Sequence, residues 1–170
     1  MSNDSLTHIE VKSNEEPYLV RRPQGYFEYQ LPISSKGVLI VANQVLLVGN
    51  PRGELELPGG KIEKGESPEQ CAQREVAEEV GLEVSSAEVL YAWVYEILPS
   101  RHVFVIAYGV MIAAQSTDEL KLSVDKEVGT ARWVSLDDID SCPMPREYAV
   151  AIRVWADRLH SRAKLRALPS

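Results

Sequence analysis

The sequence predicts an α/β fold, with a central mixed β-sheet covered by helices on both sides. Three observations carry this reading. Strand-like segments lie before and after one strongly marked helix at 68–80, and a second helical pattern follows at 146–159. The run from Val103 to Ile112 is too continuously apolar for a half-exposed strand and belongs in the middle of a sheet. Regular βαβ spacing, GxGxxG and GxxxxGK[ST] are all lacking, which sets aside the Rossmann and P-loop architectures.

Taken in order, residues 1–16 form a polar lead-in, and Tyr26–Leu31 mixes aromatic and polar residues in a strand-like way. Gly37–Ala42 and Val45–Val48 read as a hairpin turning at Ala42-Asn43-Gln44. Leu55-Glu56-Leu57 is short and extended and leads into the turn Pro58-Gly59-Gly60. The helix that follows has a full set of local signals. Ser67 is its N-cap, Pro68 occupies the first helical position, Gln70 completes a capping box and Gly81 ends it in the left-handed conformation. Ala72, Val76 and Val80 form its apolar stripe. Val84–Val94 and His102–Ala114 are long strands joined through Leu98-Pro99-Ser100. Residues 116–129 form an acidic loop, Ala131–Val134 a short strand and Leu136–Asp140 a helical turn. The helix at 146–159 carries Tyr148, Ile152 and Trp155 near one face, and residues 162–170 are expected to be a loose tail.

The chain has 170 residues, enough for one domain spanning 1–170 that buries about 70% of its unfolded-state surface. A formal net charge of -7 argues against a double-stranded nucleic-acid surface. An acidic protein acting on phosphorylated substrates also needs cations to carry the attraction. The apolar run at 37–48 is interrupted by Asn43 and Gln44 and is too short to span a membrane, and the first ten residues lack a secretory pattern. Cys71 and Cys142 form no CxxC pair and read as small hydrophobes in a reducing, cytoplasmic setting. His8, His102 and His160 are too scattered to suggest a metal site.

Chemistry concentrates in the segment from Gly60 to Leu82. Glu75, Glu78 and Glu79 crowd one helix, where like charges repel by a few tenths of a kcal/mol (about 0.2–0.5) per pair. They also occupy the C-terminal half, where the helix dipole disfavours anions. Accepting both costs points to a bound cation, and carboxylates with a loop carbonyl suit Mg²⁺ or Mn²⁺.

These residues resemble the Nudix box, Gx5Ex7REUxEExGU with U bulky and aliphatic, the signature of the Nudix hydrolases. Gly60, Glu66, Arg74, Glu75, Val76, Glu78, Glu79, Gly81 and Leu82 fill every fixed position, and the strand pattern resembles the family over residues 25–158. The resemblance implies an α/β/α sandwich and metal-dependent hydrolysis of a nucleoside diphosphate linked to some group X. It implies Glu75, Glu78, Glu79 and the Gly60 carbonyl as ligands, with Glu66 and Arg74 pairing to hold the loop against the helix. Glu75, Glu79 or a loop carboxylate would take the proton from the attacking water. Glu127, six residues before Trp133, is the loop candidate as ligand or base, with Asp125 and Asp118 as alternatives.

Glu56-Leu57-Pro58-Gly59-Gly60 is similar to the E-x-P-[AG]-G run of ADP-ribose and nucleoside-diphosphate-sugar pyrophosphatases, and Pro99 lies 17 residues after the box as their marker proline does. Leu55 replaces their common aromatic, and only some 24 residues stand where that group often has a longer region used in a swapped homodimer. A homodimer is therefore open. Glu56, Arg52 and Pro99 are candidate substrate contacts. Tyr26, Phe27 and Trp93 read first as core residues and second as platforms for a base. Arg21 and Arg22 read as solvated surface. The leading substrate is ADP-ribose or a similar sugar nucleotide. A nucleoside triphosphate pyrophosphohydrolase of the housecleaning kind is the rival, and a nucleotide-binding module without catalysis is the alternative from another class.

Overall fold

A computed structural model describes residues 18–126 and 128–167 of the chain. The lead-in at 1–16, His8 and Glu127 thus lie outside the described residues. Two short strands, β1 (Leu19–Arg21) and β2 (Phe27–Tyr29), pair with each other as a separate antiparallel sheet. The main sheet has seven strands: β3 (Ile33–Val41), β4 (Gln44–Gly49), β5 (Leu55–Glu56), β6 (Gly59–Lys61), β7 (Ser85–Leu98), β8 (Arg101–Met111) and β9 (Ala131–Ser135). Its path runs β5-β4-β3-β8-β7, with β6 also paired to β3 and β9 to β4. β3 and β8 are parallel and the other pairs antiparallel, so the sheet is mixed. β8 lies inside it, as its apolar run predicts.

The inner strands are apolar in succession because both of their faces are covered. Side chains alternate across a strand. On one face Leu39, Val41, Leu46, Val48 and Val110 pack with Val76 and Val80 of helix α1 (Pro68–Val80). On the other, Val38, Val45, Leu47, Val105 and Ala107 pack with Tyr148, Ile152 and Trp155 of helix α2 (Arg146–Arg166). The result is an α/β/α sandwich.

Helix α1 forms where its local signals place it. The Ser67 side chain accepts from the Gln70 N–H, the Gln70 side chain accepts from the Ser67 N–H, and Gly81 is left-handed at φ 73°. Elsewhere the structure corrects the sequence boundaries. β3 begins at Ile33 rather than Gly37, because Ser34, Ser35 and Lys36 pair with β8 on one side and β6 on the other. β7 runs to Leu98 rather than Val94. Helix α2 continues to Arg166, into the stretch expected to be a loose tail. Arg162 pairs with Glu88 at 3.2 Å and lies over the Trp155 ring, and Lys164 and Arg166 complement the C-terminal end of the helix dipole. Tyr26 and Phe27 are not core residues but lie 55% and 60% exposed at the β2 hairpin, whereas Trp93 is buried. Among the described residues, no helix is long and apolar enough to cross a membrane.

Candidate active site

The site forms where the loop ending in β6 meets one side of α1. Gly59 is forced on this loop. Its φ is 147°, and a Cβ there would lie 2.8 Å from Lys36 Cα. Its peptide then serves two charged side chains. The Gly59 N–H donates to Glu79 Oε2 at 3.0 Å, and its carbonyl accepts from Lys36 Nζ at 2.7 Å. Gly60 is crowded in a different way. A Cβ there would stand 2.6 Å from Glu75 Cδ and 2.8 Å from Oε2, so a side chain at this position would push that carboxylate off the loop. The Gly60 carbonyl accepts from Ser34 Oγ at 3.0 Å and from the Cys71 thiol at 3.6 Å.

Arg74 organises the rest of the box. Its Nε and Nη2 donate to the two oxygens of Glu66 at 3.0 and 2.8 Å, a bidentate fork. Its Nη1 donates to Glu75 Oε1 at 2.9 Å and Glu78 Oε2 at 2.8 Å. Glu66 also accepts from the Glu63 N–H at 2.6 Å, so loop and helix are tied through one carboxylate. These bonds, chiefly from Arg74, hold the Glu66 carboxyl down at about 2. Glu75 behaves oppositely. Burial raises its pKa, opposed by Arg74.

Glu79 is the most perturbed carboxylate. Burial pushes it up to about 7, opposed by Lys36 and the Gly59 N–H and reinforced by the negative charge of Glu75 and Glu56. Glu56 reaches the same place from β5. One of its oxygens lies 3.5 Å from Lys36 Nζ and 3.5 Å from the Tyr148 hydroxyl. Burial lifts the Tyr148 hydroxyl far above the ordinary phenol value. Beside it stands an aromatic wall, with Trp93 edge-on to Tyr148 at 5.5 Å, Tyr95 at 6.2 Å from Tyr148, and Tyr91 stacked on Trp93 at 5.4 Å.

The structure thus gathers Glu56, Gly60, Glu66, Arg74, Glu75 and Glu79 at one place, with Glu78 more exposed and turned to Arg74. Arg52 is engaged by Glu54 at 2.8 Å. Tyr26 and Phe27 lie on the separate two-stranded sheet, and Pro99 sits in the β7–β8 turn. Asp118 belongs to a 3₁₀ turn whose Thr117 bonds Gln44, at the opposite end of β4 from its pairing with Glu56. The Asp125 N–H donates to the Glu79 carbonyl at 2.9 Å, which brings the acidic loop back onto the end of α1. Lys36 and Tyr148 are the site residues that the sequence reading missed. Lys36 follows two serines and reads as a surface residue, so the sequence carried no signal for it.

Among the described residues, no three His, Cys, Asp or Glu side chains already converge as an ion cage. The donor chemistry nevertheless fits a hard divalent cation. The available atoms are carboxylate and carbonyl oxygens, and burial makes the ionised forms of Glu75 and Glu79 costly unless a cation stands close by. Glu75, Glu78, Glu79 and the Gly60 carbonyl could hold Mg²⁺ or Mn²⁺.

The sequence matches the NUDIX domain over residues 32–158. It is 32% identical over 148 residues to the NAD-capped RNA hydrolase NudC of Pseudomonas aeruginosa, covering 84% of this chain and 50% of that protein. It is 48% identical over 50 residues to the 8-oxo-dGTP diphosphatase of Escherichia coli, covering 29% of this chain and 38% of that protein. Among solved structures, a NUDIX-family hydrolase from Clostridium perfringens superposes with a TM-score of 0.65 at 18% identity, covering 76% of this chain and 99% of that one. The chain spans about half the length, or less, of the curated relatives described here.

Proposed function

This chain belongs to the Nudix family, and from that premise we propose that it hydrolyses the pyrophosphate bond of a nucleoside diphosphate linked to X, with Mg²⁺ or Mn²⁺ as cofactor. The observation that carries this reading is the meeting of Glu75 and Glu79 with the backbone of Gly59 and Gly60. Glycine is needed at Gly59 for its backbone angle and close approach, and at Gly60 its small size leaves room for the Glu75 carboxylate.

When bound, the cation supplies charge neutralisation of the pyrophosphate and acidification of a water. The chain's own residues divide the remaining work. Glu75, Glu78 and Glu79 present the ligand oxygens, and Glu127 is the further candidate from the loop. Arg74 fixes the orientation of Glu75 and Glu78 while Glu66 fixes Arg74. Glu79, bonded to the Gly59 N–H, or Glu75, against Gly60, is the proposed proton acceptor on α1.

ADP-ribose or a similar sugar nucleotide is the proposed substrate. The Glu56-to-Gly60 run and Pro99 support it, as does the Pseudomonas relative, since an NAD cap is itself a nucleoside diphosphate joined to X. Glu56, Arg52 and Tyr95 are the proposed contacts to the nucleotide. The resemblance to the E. coli 8-oxo-dGTP diphosphatase favours a second reading, cleavage of a nucleoside triphosphate. Comparing kcat/KM for ADP-ribose, sugar nucleotides and nucleoside triphosphates separates the two. A higher value on triphosphates rejects the first reading, and no cleavage of either class rejects the enzyme.

A further inference from the structure

Lys36 is only 6% exposed, and buried lysines are costly unless their charge is matched. It extends from β3 to the loop, donates to the Gly59 carbonyl at 2.7 Å and faces Glu56 at 3.5 Å. Glu79 is joined to the same Gly59 peptide through its N–H, and both Glu79 and Glu75 feel the ammonium charge. Arg74 is already engaged by Glu66, Glu75 and Glu78. Lys36 is therefore the cation that answers Glu56 and Glu79. Glu75 has Arg74, so without Lys36 it is Glu56 and Glu79 that would share one place with no cation of their own.

We propose that the Lys36 ammonium is a resident cation that takes the place of one divalent ion beside Glu56 and Glu79. The site then holds fewer tightly bound divalent ions than its carboxylates alone would call for. Lys36 is a positioning residue in this account, and the inference rests on the proposed metal-dependent site. Its physical basis is simple repulsion. A fixed positive charge a few ångströms from a dication disfavours that ion, and in a partly buried setting one such charge changes affinity by about tenfold or more.

Mn²⁺ titration of the full chain, with free Mn²⁺ counted by electron paramagnetic resonance, tests this without reference to turnover. Lys36→Met is expected to bind one Mn²⁺ more than wild type, or the same number with a Kd at least about tenfold lower. Lys36→Arg keeps the charge and is expected to titrate as wild type. Circular dichroism checks folding, and if the Met variant does not fold, Lys36→Gln, neutral yet able to donate to Gly59, carries the same expectation. A neutral variant that titrates like wild type in number and affinity overturns the proposal while leaving the proposed hydrolase standing. So does an Arg variant that titrates like the neutral ones, since charge would then not be the cause. Absence of Mn²⁺ binding from wild type and variants alike overturns the proposed function, and this inference with it.

Discussion

Replacing Gly60 with alanine puts a methyl group where the Glu75 carboxylate lies. The added Cβ would stand 2.6 Å from Glu75 Cδ and 2.8 Å from Oε2. Restoring ordinary contact moves the carboxylate or the loop by about 1 Å. Gly60 does not adopt a positive φ, so alanine meets no backbone penalty there and the effect isolates the contact. Because only the end of the Glu75 side chain has to give, held by its bond to Arg74, the stability cost is about 1 kcal/mol, and a displacement of about 1 Å at a reacting centre costs about 100-fold in rate. The assay is a double-mutant cycle read in two ways. Urea unfolding gives the stability of wild type, Gly60→Ala, Glu75→Ala and the double variant, and kcat/KM on ADP-ribose gives the activity of the first two. Truncating Glu75 removes the obstacle, so the double variant should lose about 1 kcal/mol less than the sum of the single losses. Gly60→Ala that keeps wild-type stability and activity refutes the packing of Glu75 against the loop. So does a strictly additive cycle.

Four further outcomes are expected. Glu79 is pushed up from 4.5 to about 7, so the folded state favours its proton. Stability from this group is fully present below pH 4.5 and lost as pH rises through about 7, on the order of 1–3 kcal/mol after allowance for screening. Thermal unfolding in chelator between pH 5 and 8 should show this loss in wild type and not in Glu79→Gln. Arg74→Lys gives up the bidentate fork to Glu66 and the bonds to Glu75 and Glu78, and urea unfolding should register a loss of about 1–3 kcal/mol. Gly109→Ala drives a Cβ to 2.6 Å from Trp155 Cδ2, and urea unfolding should register a similar loss through the opposite face of the sheet. Glu127→Gln should lower kcat by about 10²–10⁴ with unchanged thermal stability, and an unchanged kcat removes Glu127 from the site.

Helix α1 was legible in the sequence because its determinants are local. The capping box, Pro68, the stripe at 72, 76 and 80 and the stop at Gly81 lie within fifteen residues. The centrality of β8 was legible because burial on both faces leaves a continuous apolar run. The start of β3 was not, since Ser34, Ser35 and Lys36 look like surface residues. They enter the sheet through distant partners: Gly60 for Ser34, the Pro68 carbonyl for Ser35, and Gly59 with Glu56 for Lys36. The last turns of α2 were hidden for the same reason, because Arg162 is held by Glu88 on β7. The site divides along this line. Residues of the box could be named from its resemblance to the Nudix signature, which also implied the Glu66–Arg74 pair. Lys36 and Tyr148 join through Glu56 from elements far away in the chain, and no periodicity announces such a meeting. Tyr26 and Phe27 mislead because aromatic residues in a strand suggest a core, while the β1–β2 hairpin leaves them in solvent.

The most direct measurement is hydrolysis of ADP-ribose by wild type and Glu79→Gln, with and without millimolar Mg²⁺, alongside Mn²⁺ binding by both. Cleavage that requires the cation and falls by orders of magnitude in the variant, with weakened Mn²⁺ binding, is the predicted result. A folded Glu79→Gln protein that binds Mn²⁺ and cleaves as well as wild type would contradict the assignment of α1 as the metal-holding, reactive element.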